Sequence, residues 1–105
     1  MTNTDNNSPE ISIIVPVLNE QDTIKELYHR ITSMCKKNKY SYEILIIDDG
    51  STDHSFQLLE KIAESDGQVK LYQFRKNFGK TAAFTCGFNN ARGKIIINLE
   101  HGNDN

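Results

Sequence analysis

The sequence predicts an α/β fold in which about four parallel strands alternate with three helices. Apolar, β-branched runs recur along the 105 residues, and amphipathic segments of helical length separate them. Strand–helix–strand units of this length form parallel sheets with right-handed crossovers. Hydrophobic residues make up 37% of the chain and charged residues 25%, which is enough apolar material to give one domain a packed core.

The predicted elements follow one another at regular intervals. Strands are predicted at residues 11–17, 42–47, 69–74 and 94–99. Helices are predicted at residues 24–35, 53–65 and 80–91. Each strand is a short apolar run between polar or glycine-containing turns. We expect residues 1–9 to be a disordered lead and residues 10–105 to form the domain.

Side-chain spacing within these segments predicts which faces are buried. The first helix carries an apolar stripe at helical spacing, formed by Ile24, Leu27, Tyr28, Ile31, Met34 and Cys35. The third helix is rich in small residues that allow close approach to the sheet, namely Ala82, Ala83, Cys86 and Gly87. Pro16 lies within the first strand and has no N–H to donate, so it predicts an edge strand or a strand end.

Charge and composition exclude several classes of protein. The net charge is −2, and Lys and Arg look scattered apart from a short run at residues 36–39, so we expect no nucleic-acid partner. The two cysteines lack metal-ligand spacing, and no apolar run reaches transmembrane length. The polar N-terminus is not a signal peptide. We therefore expect a cytoplasmic protein, whose contact with the inner face of a membrane would come through another surface or through missing C-terminal segments.

Polar residues follow the carboxyl end of every predicted strand. These groups are Asn19 with Glu20, Asp48 with Asp49, residues 75–77, and Glu100 with His101. In open parallel sheets, ligands bind beyond the carboxyl ends of the strands. The four groups therefore predict a single site at one edge of the sheet.

Each group also has an ordinary structural interpretation, and the residues alone leave both open. Asp48 and Asp49 could bind a base, a ribose or a divalent metal, or could simply form a turn and cap a helix. Asn19 and Glu20 could face a ligand or open the first helix. Lys80 follows Gly79 but is not part of a P-loop, because Phe74 stands where that motif needs glycine. A cationic loop entering a helix N-terminus could still hold a diphosphate.

Three motifs in this order resemble the family 2 glycosyltransferases, and most closely the polyprenol-phosphate sugar transferases. The latter include dolichyl-phosphate mannose synthase-like and bactoprenol glucosyltransferase-like enzymes. The motifs are Ile-Val-Pro-Val-Leu-Asn-Glu at residues 14–20, Ile-Ile-Asp-Asp-Gly-Ser-Thr-Asp at 46–53, and Arg-Lys-Asn-Phe-Gly-Lys at 75–80. The resemblance covers about residues 10–99.

The resemblance implies the Rossmann-like parallel-sheet half of a GT-A nucleotide-sugar-binding domain. It further implies a UDP- or GDP-sugar donor, Mg or Mn as cofactor, and transfer of the sugar with inversion to a polyprenol phosphate or a related saccharide acceptor. By position in the motifs, the residues implied to bind the nucleotide are Pro16, Val17, Asn19, Glu20, Asp48, Asp49 and Lys80.

The chain departs from the family pattern after the fourth strand. The family has an Asp-x-Asp metal motif there, whereas this sequence reads Glu100, His101, Gly102. Glu100 can replace the first carboxylate and is the one metal ligand we expect, but Gly102 cannot replace the second. We expect the chain to be truncated before the catalytic half and to be inactive alone, so we assign no catalytic residue.

Three further possibilities stay open or are set aside. The first is a truncated or degenerate remnant that binds nucleotide without catalysis. The second is self-association through an uncovered sheet edge. A response-regulator-like domain is disfavoured, because that class needs a phospho-accepting Asp after the third strand, and this chain has Phe74 and Arg75 there.

Overall fold

A computed structural model describes residues 8–100 and shows four strands alternating with three helices in that range. The strands are β1 (Ile11–Val17), β2 (Tyr42–Asp48), β3 (Val69–Gln73) and β4 (Ile95–Asn98). The helices are α1 (Ile24–Lys37), α2 (Ser55–Ser65) and α3 (Lys80–Asn90). Most of the expected lead, and His101 and Gly102, lie outside the described residues.

The strands form one parallel sheet in the order β3-β2-β1-β4. This confirms the predicted α/β fold. The chain winds from β1 outward to β3 and then returns to place β4 on the other side of β1. The winding direction therefore reverses between β1 and β4, and ligand crevices in such sheets open at the carboxyl ends beside this reversal.

The sheet buries a different core on each face. The face covered by α1 and α2 carries the larger cluster, which includes Ile13, Val15, Ile44 and Leu59. The face covered by α3 carries Ile14, Leu45, Ile47 and Ala83. A Cβ atom on Gly87 would overlap the side chain of Ile14. The small residues of α3 thus permit the predicted close approach to the sheet.

One detail of the prediction was wrong, and another held in only one of its two forms. Met34 was placed on the buried stripe of α1, but it is 46% exposed and Thr32 is buried instead. Pro16 does not mark an edge strand, because β1 is central. It does mark a strand end on one side: β4 pairs with β1 only as far as Ile14, so the missing N–H of Pro16 costs no ladder hydrogen bond there.

No helix within residues 8–100 combines the length and the apolar character needed to cross a bilayer.

Candidate functional site

The side chain of Asp49 anchors the loop of residues 74–79, which joins β3 to α3. Its Oδ1 accepts a hydrogen bond from the backbone N–H of Phe78 at 2.8 Å. Its Oδ2 accepts the N–H of Gly79 at 3.0 Å and the side-chain amide of Asn77 at 3.1 Å. The backbone N–H of Asp49 donates to the carbonyl of Val17 at 2.8 Å. One residue therefore ties together the ends of β1 and β2 and the 74–79 loop.

Gly50 lets the 74–79 loop cross directly over the turn that follows β2. Its φ is +82°, in the left-handed region. A Cβ atom at this position would lie 2.5 Å from the backbone nitrogen of Asn77 and would also collide with the backbone of Lys76. A side chain here would push the loop away from the sheet, so the turn requires glycine.

Asn19 braces the loop after β1 against the turn after β2. Its Oδ1 accepts the backbone N–H groups of Thr52 at 2.8 Å and Asp53 at 3.2 Å, and its own N–H donates to Ser51 Oγ at 2.8 Å. Asn19 adopts a positive φ of 51°, which Asn tolerates better than most residues. The position flanking α1 is held by Thr23, so Asn19 does not cap that helix.

A second group of bonds joins the same two segments. The N–H of Glu20 donates to Ser55 Oγ at 2.8 Å, and Gln21 Oε1 accepts the N–H of His54 at 2.8 Å. Asp53 Oδ1 accepts the N–H of Ser55 at 2.8 Å. Slight burial acts to raise the pKa of Asp53, but hydrogen bonds from Ser55 and Gln21 outweigh burial and lower it. Asp53 thus holds this junction as a carboxylate.

Asp48 is fully buried on the opposite face of the sheet from Asp49. It shares a face with Ile44 and Ile46, as the alternation of side chains along β2 requires. Its Oδ1 accepts the N–H of Ser51 at 3.2 Å, whereas Oδ2 has no hydrogen-bond partner among the described residues. Burial raises the pKa of Asp48, the nearby charges of Asp53 and Asp49 add to this, and the hydrogen bonds with Ser51 oppose it.

A cleft of about 240 Å³ opens at the carboxyl ends of β1 and β2, beside the N-terminus of α3. Five of the seven predicted nucleotide-binding residues line it: Pro16, Val17, Glu20, Asp49 and Lys80. The other two, Asn19 and Asp48, lie outside its lining and support the loops around it.

Three residues that line the cleft were absent from the predicted set. Asn77 belonged to a strand-end polar group and could have been chosen on that ground. Gly79 precedes α3, and its φ of +101° shapes the entry to the helix. Leu18 could not have been predicted from the sequence. An apolar side chain after a strand is expected to be buried, whereas Leu18 is 40% exposed and lines the cleft.

Lys80 and Glu100 form an ion pair at the mouth of the cleft. Lys80 Nζ lies 3.7 Å from Glu100 Oε2, and both side chains are largely exposed. Lys80 is the first residue of α3, and no described side chain caps that helix N-terminus. Backbone N–H groups and a lysine at a helix N-terminus favour an anion. An anionic group is therefore favoured at this position, and in this structure the Glu100 carboxylate lies there.

The described residues do not make a complete metal site. Within residues 8–100, no group of three or more His, Cys, Asp or Glu side chains is placed to hold a cation. Glu100 supplies one carboxylate, which is paired with Lys80, while the oxygens of Asp49 are engaged with the 74–79 loop. A divalent ion needs more oxygen ligands than this.

A second cavity, of about 300 Å³, lies at the opposite edge of the sheet and includes Glu43, Lys70 and Arg92 in its lining. None of the predicted site residues lines it. Its buried carboxylate is bonded within the protein: Glu43 Oε2 accepts Ser12 Oγ at 2.6 Å and the N–H of Arg92 at 2.7 Å. These bonds fasten the start of β4 to β1 and β2, which is a structural role.

A parallel sheet with a cleft at the carboxyl ends of β1 and β2, beside a helix N-terminus that begins with a lysine, is an arrangement typical of nucleotide-binding α/β proteins. The chain belongs to glycosyl transferase family 2, whose family model matches residues 12–101. The resemblance seen in the sequence is thereby confirmed.

Curated relatives support a polyprenol-phosphate sugar transferase-like member of the family. The chain is 45% identical over 91 residues to the undecaprenyl-phosphate 4-deoxy-4-formamido-L-arabinose transferase of Pseudomonas fluorescens (strain SBW25), covering 86% of this chain and 27% of the relative. It is 38% identical over 92 residues to the enzyme of the same name from Salmonella choleraesuis (strain SC-B67), covering 87% and 28%. The chain thus spans about a quarter of the length of these relatives.

Solved structures confirm that the sheet is part of a GT-A fold. The mannosyltransferase PcManGT from Pyrobaculum calidifontis, in complex with GDP-Man and Mn2+, superimposes with a TM-score of 0.73 at 26% identity, over 85% of this chain and 26% of that one. S. aureus TarS 1-349 in complex with UDP superimposes with a TM-score of 0.65 at 27% identity, over 85% and 27%.

Proposed function

We propose that the cleft at the carboxyl edge binds the nucleoside diphosphate part of a UDP- or GDP-sugar. The observation that carries this proposal is the convergence of Pro16, Val17, Glu20, Asp49 and Lys80 on one cleft at the carboxyl ends of β1 and β2. PcManGT, which was solved with GDP-Man, and TarS, which was solved with UDP, share this fold. They support the ligand class and leave both bases as candidates.

In this proposal, different lining residues contact different parts of the ligand. Pro16, Val17 and Leu18 offer an apolar wall against which a base can pack, and the carboxylate of Glu20 can accept hydrogen bonds from ribose hydroxyls. Asp49 has most of its acceptor capacity taken by the 74–79 loop, so its main contribution is to hold that wall of the cleft. Asn19 and Asp48 support the cleft from outside.

Lys80 binds the diphosphate in this proposal. A diphosphate carries more charge than the Glu100 carboxylate and can accept hydrogen bonds from both the Lys80 ammonium and the N-terminus of α3. Nucleotide binding therefore breaks the 3.7 Å ion pair between Lys80 and Glu100. In sugar transfer, the same lysine would stabilise the departing nucleoside diphosphate.

For the whole protein we propose transfer of a sugar, with inversion, to a polyprenol phosphate or a related acceptor at the inner face of a membrane. The named activity of the relatives, which are about three times as long, supports this acceptor class. Mg or Mn would be the cofactor, with Glu100 as one ligand, and PcManGT was solved with Mn2+. We propose that the 105 residues bind nucleotide but do not transfer sugar.

The second candidate is a nucleotide-binding remnant with no catalytic role. The pairing of Glu100 with Lys80 favours it, because the one carboxylate placed for a metal is used in an ion pair. In this case, too, the cleft binds nucleoside diphosphates, but Mn contributes nothing to the affinity.

Calorimetric titration with UDP and GDP, with and without Mn, tests the proposal. We expect saturable, one-to-one binding of at least one of them, weaker binding of the corresponding nucleoside, and no sugar transfer by the 105-residue chain. Absence of binding by both nucleotides at millimolar concentration would contradict the proposal. Tighter binding in the presence of Mn would favour the transferase over the remnant.

A further inference from the structure

One stretch of the sequence carries cationic residues and no acidic ones. Residues 67–99 contain no Asp or Glu, although the whole chain has a net charge of −2. The stretch has six cationic residues, namely Lys70, Arg75, Lys76, Lys80, Arg92 and Lys94. Half of the twelve Lys and Arg residues are therefore separated in sequence from acidic residues.

Three of these cations lie beside the nucleotide cleft, together with an exposed aromatic ring. Arg75 and Lys76 lie on the 74–79 loop and Lys80 follows it, and all three are exposed. Phe78, on the same loop, is 57% exposed. Neither Arg75 nor Lys76 forms an ion pair with any residue in the described range 8–100. The loop thus presents two cations without an ion-pair partner in this range and an aromatic ring, while the carboxylate of Asp49 is bonded to the backbone of the same loop.

The exposed ring is held in place, so its position is a property of the fold. The backbone N–H of Phe78 is bonded to Asp49 Oδ1 at 2.8 Å. Its ring meets Phe74 edge to face, with centroids 5.6 Å apart, and Lys76 Nζ lies 5.4 Å from its centroid. A large apolar side chain fixed outward among cations is typical of protein surfaces that contact lipid.

We propose that the 74–79 loop docks on the surface of an anionic phospholipid bilayer. Arg75 and Lys76 meet the anionic headgroups, and the ring of Phe78 enters the boundary between headgroups and acyl chains. The small footprint and the single apolar tip favour a bilayer over nucleic acid, whose backbone is matched by an extended basic stripe. Lys70, Arg92 and Lys94 lie at or towards the opposite edge of the sheet and do not extend the patch into such a stripe.

This docking would face the cleft towards the lipid surface. A sugar donor bound next to Lys80 would then lie beside a lipid-linked acceptor. Only this orientation of the cleft rests on the proposed function; the docking itself does not. Vesicle binding needs no nucleotide, so a failure of the docking proposal and a failure of nucleotide binding are observed in separate experiments.

Vesicle sedimentation with the 105-residue chain tests the docking. We expect binding to phosphatidylcholine vesicles that contain phosphatidylglycerol, weak binding to phosphatidylcholine alone, and loss of binding at high salt. The double variant Arg75→Gln/Lys76→Gln should weaken binding by at least tenfold, at about fivefold per cation. Phe78→Ser should weaken binding severalfold.

Matched control variants remove two cations or one aromatic ring from exposed positions outside the 74–79 loop. Lys36→Gln/Lys37→Gln removes two exposed cations from the end of α1, and Phe88→Ser removes a ring that is 62% exposed on α3. Both should bind vesicles like the unaltered chain, and circular dichroism should show every variant folded. Equal losses in the controls, equal binding to neutral vesicles, or tighter binding to single-stranded DNA than to anionic vesicles would overturn the proposal. The Arg75→Gln/Lys76→Gln and Phe78→Ser variants test the docking separately. If one of them misfolds, vesicle binding by the other still tests the proposal.

Discussion

Asp49 accepts the backbone N–H of Phe78 at 2.8 Å, and this bond fixes the distance between the end of β2 and the loop that leads into α3. The neighbouring Asp48 points to the other face of the sheet and is buried below the turn. Two adjacent carboxylates of the same motif therefore have different tasks. One shapes the wall of the cleft, and the other lies under the loops that surround it.

Asp49→Asn should loosen the 74–79 loop and destabilise the fold. The new NH2 group would face N–H donors, so at least one of the charge-assisted bonds is lost. Such bonds contribute about 1.5–3 kcal/mol each. Urea unfolding should show a loss in this range, and the amide protons of Phe78 and Gly79 should exchange faster. Asp22→Asn, at an exposed position, is the control, and equal stability of the two variants would contradict the assignment.

Gly50→Ala should destabilise the protein far more than Gly67→Ala. At Gly50, φ is +82° and the new methyl group would collide with the backbone of Lys76 and Asn77. At Gly67, nothing lies within 4 Å of the added atom. We expect a loss of more than about 2 kcal/mol for the first substitution and a change within about 0.5 kcal/mol for the second. Similar urea midpoints for both would show that the loop does not cross at Gly50.

Asp48→Asn should stabilise the protein at neutral pH. Burial raises the pKa of Asp48 above its ordinary value of 3.8, so the folded state holds this proton more tightly than the unfolded chain. The stabilisation from the protonated group is complete below pH 3.8 and is lost as pH rises through the raised folded-state pKa. The Asn side chain has no charge to desolvate and keeps an oxygen for Ser51.

The measurement for this substitution is the free energy of unfolding as a function of pH. The advantage of Asp48→Asn over the unaltered chain should grow as pH rises above 3.8 and level off once pH exceeds the raised folded-state pKa of Asp48. A difference that does not depend on pH, or a variant less stable at neutral pH, would show that Asp48 is not buried as a carboxylate.

Substitutions of the Lys80–Glu100 pair should change nucleotide affinity in opposite directions. Lys80→Gln removes the cation that meets the diphosphate and should weaken UDP or GDP binding about tenfold. Glu100→Gln removes its competitor and should strengthen metal-free binding by up to about fivefold, the usual worth of an exposed ion pair. Lys61→Gln, on the exposed side of α2, is the control. Binding is measured by calorimetry without metal. If both Lys80→Gln and Glu100→Gln weaken nucleotide binding, the diphosphate does not replace Glu100 as the partner of Lys80.

The order of strands and helices was predictable because apolar runs and amphipathic segments alternate so regularly. The cleft was predictable because parallel strands bring their carboxyl ends to one edge. The separate tasks of Asp48 and Asp49 could also have been inferred, since Asp48 continues the alternation of Ile44 and Ile46.

Other features depended on contacts that a sequence pattern does not encode. Met34 is exposed although Ile31 and Cys35, on either side of it in α1, are buried. The outward ring of Phe78 depends on a hydrogen bond between residues 29 positions apart in the chain. The pairing of Lys80 with Glu100 depends on where β4 ends relative to α3. None of these could be predicted from spacing alone.

The most direct test of the nucleotide-binding account is to follow backbone amide chemical shifts by NMR while UDP or GDP is added. We predict that shift changes concentrate in residues 17–20, 49–50 and 77–80. The amides of Glu43, Lys70 and Arg92, at the opposite edge of the sheet, should not change. Shifts confined to those three residues, or no shifts at saturating nucleotide, would contradict the account.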